Sequence, residues 1–147
     1  MGISVAASAK NSGNDVVWAS EGRSAATVAR VAKIGLSDVG TLATLCGTCD
    51  IIISVCPPHA AEALAAQVLA HGFTGLYVDA NAISPERVLK INALMGGVGA
   101  SFVDGGIIGR PAWEPNRTWL YLAGARGRGG RVFRGGSVGD AGVGRSG

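Results

Sequence analysis

Apolar and polar positions along this chain switch repeatedly between a helical period and short β runs. Ile3, Val5, Ala6 and Ala9 are spaced as on one side of a helix, "NSGND" breaks the pattern, and Val16, Val17 and Trp18 form a short β run. The segment "RSAATVARVAKIG" predicts a helix closed by Gly35, and "LSDVGTLATLCGT" a short strand followed by one or two helical turns. In "CDIIISVCPP" a continuous apolar run lies between Asp50 and a double proline, the signature of a central parallel strand covered on both faces.

"HAAEALAAQVLAHG" then predicts a helix stopped by Gly72, and "GLYVDANA" the next strand. In "ISPERVLKINALMGG", Ser84 is placed to cap a helix, Pro85 fits its first position, and Glu86 suits the positive end of its dipole. "ASFVDGGII" is a strand running into glycines. In "NRTWLYLAG", Thr118, Leu120 and Leu122 alternate with Arg117, Trp119 and Tyr121 as a last strand requires. Strands alternating with helices imply an α/β fold with a mainly parallel sheet and right-handed crossovers.

Composition sharpens this picture. The 147 residues are 48% hydrophobic and 16% charged, which suits one folded domain with a buried core. Residues 1–123 hold 8 Lys and Arg against 9 Asp and Glu, whereas 124–147 hold 5 Arg against Asp140 alone, so the net charge of +3 belongs to the tail. A basic face across the domain, as nucleic-acid binding needs, is not encoded. With 10 Gly in 24 residues and no period, 124–147 is expected to be disordered. It reads as an aberrant C-terminus, a shifted reading frame included, with an Arg/Gly nucleic-acid-binding tail as the alternative.

The longest apolar run, "IIISVC", falls far short of the roughly 18 to 20 residues that span a bilayer, and no basic stretch precedes the first apolar residues. The expectation is a cytoplasmic protein with no membrane partner. Cys46, Cys49, Cys56 and His59 are spaced C-x2-C-x6-C-x2-H, superficially like a zinc site. An intervening strand rising about 3.3 Å per residue would separate the two pairs by roughly 20 Å, which excludes a shared ion. Reactive CxxC pairs sit at helix N-termini, whereas this one precedes a strand, so these cysteines are read as structural.

In open α/β sheets ligands bind beyond the carboxyl ends of the strands. Here those ends are "WASEGRS", "VCPPH", "VDANAISP" and "VDGGIIGRP", each carrying turn formers, polar side chains or bare backbone. In this order and spacing they resemble the N-terminal cofactor domain of the 6-phosphogluconate and 3-hydroxyisobutyrate dehydrogenases, the β-hydroxyacid dehydrogenase family. That family opens with a strand and a G-x-G-x-x-G loop ending in Met-Gly, then a helix, a glycine and a strand leading to Arg-Ser or Arg-Thr. Met1, Gly2, Ala6, Gly13, Val16, Arg23 and Ser24 match the later part.

The resemblance implies a Rossmann-type doubly wound fold lacking its first strand over residues 1–123, with Met1 an internal methionine of a longer protein. It implies an oxidoreductase that moves hydride between a nicotinamide cofactor and a small hydroxy acid. The cofactor would lie against Met1, Gly2, Ser20, Glu21, Arg23, Ser24, Val55, Cys56, Pro57 and Asn81. Arg23 and Ser24 stand where the family holds the 2′-phosphate of NADP, while Glu21 could instead accept from an NAD ribose.

"FVDGGIIGRP" is similar to the family's D-A-P-V-S-G-G substrate segment, with Asp104 and Gly109 matching, Ile108 replacing the serine and Arg110 the second glycine. The family's catalytic lysine and homodimer contacts belong to a second, helical domain, and Lys10, Lys33 and Lys90 do not match that lysine. The chain is therefore expected to be inactive alone, with a non-catalytic NADP-binding or regulatory module as the alternative.

Overall fold

Local signals set the helix boundaries. The computed structural model describes residues 1–111, 113 and 118–124, so the expectations attached to 125–147 lie outside the described residues. Helix α1 (Gly2–Asn11) gives way at Ser12 and Gly13, whose φ of +84° suits a residue without a Cβ. Strand β1 (Val17–Trp18) follows, then α2 (Ala25–Ile34), which Ser24 caps by accepting from the Thr27 amide and which Gly35 ends in the left-handed region. Lys10 reaches from α1 to donate to the Ile34 and Gly35 carbonyls at 3.1 and 2.7 Å, tying the two helices together.

Beyond β2 (Ser37–Asp38), helix α3 (Leu42–Thr48) is capped by Thr41 and leads into β3 (Ile51–Ser54). A short 3-10 turn (Pro58–Ala60) opens into α4 (Ala61–Ala70), followed by β4 (Leu76–Asp79), α5 (Pro85–Gly96), β5 (Ser101–Gly109) and β6 (Thr118–Ala123). Ser84 does precede α5, but its side chain caps no helix amide.

Strands β3, β4 and β5 pair in parallel, with Ile52, Tyr77 and Phe102 in one transverse row and Ser54, Asp79 and Asp104 in the next. On that face the core forms against Ala61, Ala65 and Val68 of α4 and Ile91 and Met95 of α5. The opposite face gathers Ile53, Ala80, Ile107, Leu120 and Leu122. Strand β6 runs antiparallel to β5.

One expectation is corrected. Strand β3 is not central: the order is β3-β4-β5-β6, β1 and β2 pair separately, and Ile51 is 43% exposed. The apolar run reports that both faces of the strand are apolar, but the edges are set by main-chain pairing, which a side-chain pattern does not encode.

Candidate functional site

Apart from Met1 and Gly2 at the start of α1 and Asp104 within β5, the residues singled out from the sequence lie at or beyond the carboxyl ends of the strands, and the site is described in three groups. After β1, the Asp38 carboxylate accepts from the Ser20 and Gly40 amides at 3.2 and 2.8 Å, and the Ser20 hydroxyl, followed by the Gly40 amide, holds its pKa below the usual value. Glu21 Oε2 accepts from the Leu42 amide at 3.2 Å, so this carboxylate serves the start of α3. Ser24 is likewise committed to α2, through the Thr27 amide and hydroxyl. The Arg23 side chain is exposed and makes no hydrogen bond or ion pair among the described residues.

The second group joins β3 to β4. Asn81 is buried, donates from Nδ2 to the Ser54 hydroxyl at 2.9 Å and accepts at Oδ1 from the Cys56 amide at 2.7 Å. Its own amide donates to Asp79 Oδ1 at 2.9 Å. The carboxamide thus joins Ser54 of β3 to the loop at Val55, Cys56 and Pro57. The chain reading places Asn81 in the cofactor set; the geometry gives it the work of holding that loop.

Gly2 approaches the same loop. A Cβ built there would lie 3.5 Å from the Val55 Cβ, so a side chain would fill the space between the start of α1 and this loop. No side chain caps α1 and no acid stands in its first turn. An uncapped start of this kind directs backbone N–H groups and the positive end of the helix dipole outward, as anion binding requires.

The third group is carboxylic. Asp79 and Asp104 are direct partners across β4 and β5, so their side chains share one face. Asp79 is wholly buried, and its Oδ2 has no hydrogen-bond partner among the described residues. Burial pushes up its pKa against the opposing Asn81 amide, and burial likewise raises Asp104. Asp104, a candidate from the sequence, lies within β5 opposite the last residue of β4, whereas Asp79 and Ser54 were not among the candidates, because their part depends on strand register.

An acid whose folded pKa lies above its unfolded value stabilises the fold most below that unfolded value, and the contribution is lost as pH rises through the folded one. Asp79→Asn keeps the acceptor for Asn81 and removes the charge. The variant is expected to match the parent near the ordinary carboxylate value of 3.8. Near pH 8 it should be more stable by about 1 to 3 kcal/mol, the cost of an unpaired buried polar group, as measured by urea unfolding at the two pH values. Equal stability at both would show that Asp79 carries no such cost.

Cys46 and Cys49 are free thiols whose pKa values burial raises, the opposite of an activated pair. Among the described residues no group of three or more His, Cys, Asp and Glu is placed to hold a metal, and no helix is long and apolar enough to cross a membrane.

This arrangement of strands and helices has clear counterparts among solved structures. One is a conserved protein of unknown function with structural similarity to 3-hydroxyacid dehydrogenases, 28% identical, covering 82% of this chain and 45% of that one at a TM-score of 0.70. The fold of this chain is similar to that of the N-terminal domains of such dehydrogenases. Mycobacterium tuberculosis 3-hydroxyisobutyrate dehydrogenase, whose structure includes L-serine, is 18% identical over 85% of this chain and 43% of its own, at a TM-score of 0.74. A variant imine reductase from Myxococcus stipitatus, in complex with NAD+, is 21% identical over 84% of this chain and 43% of its own, at 0.66.

This chain therefore spans under half the length of these hydroxyacid dehydrogenase and imine reductase structures. No family model and no curated protein matches it. The expected Rossmann-type fold is thus found, with β1 and β3 unpaired with each other.

Proposed function

We propose that this chain is the nicotinamide-cofactor-binding part of an oxidoreductase acting on a small hydroxy acid or a related carbonyl compound. The observation that carries the reading is the uncapped start of α1 beside the Val55 loop, where Gly2 leaves the space that a pyrophosphate needs for close backbone approach. Asn81 keeps the Cys56 amide turned inward, which fixes the loop as the other wall.

NADP fits better than NAD. Glu21 is engaged with the Leu42 amide and is less available to a ribose hydroxyl, whereas Arg23 is unpaired beside the capped start of α2. Arg23→Ala is expected to weaken NADPH binding about tenfold, the value of one charge-assisted hydrogen bond, and to leave NADH binding unchanged. Titration followed by cofactor fluorescence and by thermal stability tests this. Equal losses for both cofactors would remove the 2′-phosphate from the argument, and a folded chain that binds neither would overturn the reading.

When bound, the cofactor supplies the hydride acceptor or donor. The chain contributes orientation: a phosphate site at α1, a charged contact at Arg23, and a loop held by Asn81. It offers no lysine at the strand ends for the proton, since Lys10 serves the end of α2, Lys33 lies in the last turn of α2, and Lys90 pairs with Glu62. A proton donor, the remaining substrate contacts and homodimer contacts would come from a further domain. This absence also favours the second reading, cofactor binding without turnover by this chain alone.

A further inference from the structure

Asp79 closes β4 as a wholly buried acid, with Ser54 of β3 opposite it on one side and Asp104 of β5 on the other. One carboxylate oxygen accepts from the Asn81 amide at 2.9 Å, and the other meets no donor among the described residues. Asn81 is the next link, since its side chain accepts from the Cys56 amide at 2.7 Å and donates to the Ser54 hydroxyl at 2.9 Å. A buried acid is thus joined by a short chain of hydrogen bonds to the loop that faces Gly2.

We infer that Asp79 is a positioning residue for the anion site at the start of α1, acting as the neutral acid through Asn81 on the Cys56 loop, and that its ionisation loosens this loop and weakens cofactor binding. The inference deepens the cofactor reading, on which it rests for the ligand but not for the loop.

The groups around the carboxyl favour its neutral form. Asp104 faces it from β5 as a like charge, and Tyr77, on the same strand, keeps its own buried hydroxyl unpaired among the described residues. Arg87 of α5 acts in the opposite sense, but its Nε is bonded to Glu62 at 2.7 Å. The thiols of Cys46 in α3 and Cys56 in the loop act on Tyr77. Burial, the largest cause, and Asp104 both push the Asp79 pKa up.

A charge formed at Asp79 has one hydrogen bond and no paired cation, so it is relieved only by movement of the chain around it. The strand is paired on both sides up to Asp79, and the Ala80 amide still bonds the Ser54 carbonyl at 3.0 Å. The turn that begins at Asn81 is therefore the first part able to yield. When it moves, the Cys56 amide loses its acceptor.

The test follows the Cys56 and Asn81 amides of the purified chain by amide-resolved NMR from about pH 4 to about pH 8, with calorimetric NADP titration at both ends of that range. Both resonances are expected to show a step centred above 3.8, the ordinary carboxylate value, and to lose it in Asp79→Asn. Asp104→Asn should keep the step but move it to lower pH, because the like charge is gone. At about pH 8 Asp79→Asn should bind NADP about tenfold more tightly than the parent chain, the value of one hydrogen bond, and at the acid end the two should be alike. Their ratio cancels the titration of the cofactor phosphates and of His59, in the turn after the loop. A side chain that only supported the fold would lose affinity when replaced.

A Cys56 resonance that shows no step, or the same step in Asp79→Asn, overturns the inference. If Asp79→Asn does not fold, Asp104→Asn decides, since an unmoved step assigns the titration to another group. Equal NADP affinities of parent and Asp79→Asn at about pH 8 defeat the coupling and leave the cofactor reading standing. A Cys56 step that depends on Asp79 in a chain that does not take NADP removes the cofactor and keeps the link from acid to loop.

Discussion

Asn81→Leu is expected to abolish measurable NADPH binding and to destabilise the fold by about 2 to 5 kcal/mol. Leucine has nearly the same shape, so the loss isolates the polar functions: the Cys56 amide loses its acceptor at 2.7 Å and the Ser54 hydroxyl its donor at 2.9 Å. Each group left unpaired away from water costs about 1 to 3 kcal/mol. The loop at Val55, which faces Gly2, then has nothing to fix it over the start of α1. Asn81→Asp keeps an acceptor for Cys56 and should fall between the two. Parallel denaturant unfolding and cofactor titration check both effects, and unchanged NADPH affinity in Asn81→Leu would separate Asn81 from the cofactor site.

The second large effect lies at Gly75. An alanine Cβ there would stand 2.3 Å from the Asp50 carbonyl oxygen and 2.7 Å from the Phe73 ring. The same carbonyl accepts from the Leu76 amide at 2.9 Å, while the Gly75 carbonyl accepts from Ser101 at 3.0 Å. Relief therefore requires moving the point where β3, β4 and β5 come into register. Gly75→Ala is expected to cost about 2 to 4 kcal/mol, an overpacking cost raised by the rigidity of backbone. Gly96→Ala is the control, since its Cβ meets nothing within 4 Å and alanine favours the last turn of α5. Urea unfolding that finds the two variants alike would show that the start of β4 can shift freely.

Helix ends and strand faces were legible in the chain because their causes are local. Gly35 and Gly72 take positive φ, Pro85 opens α5, and Thr118, Leu120 and Leu122 turn inward as their alternation requires. The strand ends that make up the candidate site were legible for a similar reason: turn formers cluster where strands end. What could not be read depends on which strands lie side by side. Ile51 in an apolar run gives no sign that β3 is an edge, and Asp79 and Asp104, distant in sequence, become neighbours only through register. Trp119 and Tyr121 join Ile108 only across an antiparallel pairing that no local signal specifies. Asn81 was placed at the right strand end, but its two hydrogen-bond partners come from another strand.

The Lys10 bridge to the last carbonyls of α2 has a consequence for ligands that carry two anionic groups. By tying the last turn of α1 to the last carbonyls of α2, it opposes sliding of one helix past the other. If, as proposed, one anionic group is seated at α1 and a second at Arg23, the second would be presented at a high effective concentration, so two weak contacts would act as one divalent site. Selectivity then depends on the distance between charges within the ligand as well as on the strength of either contact.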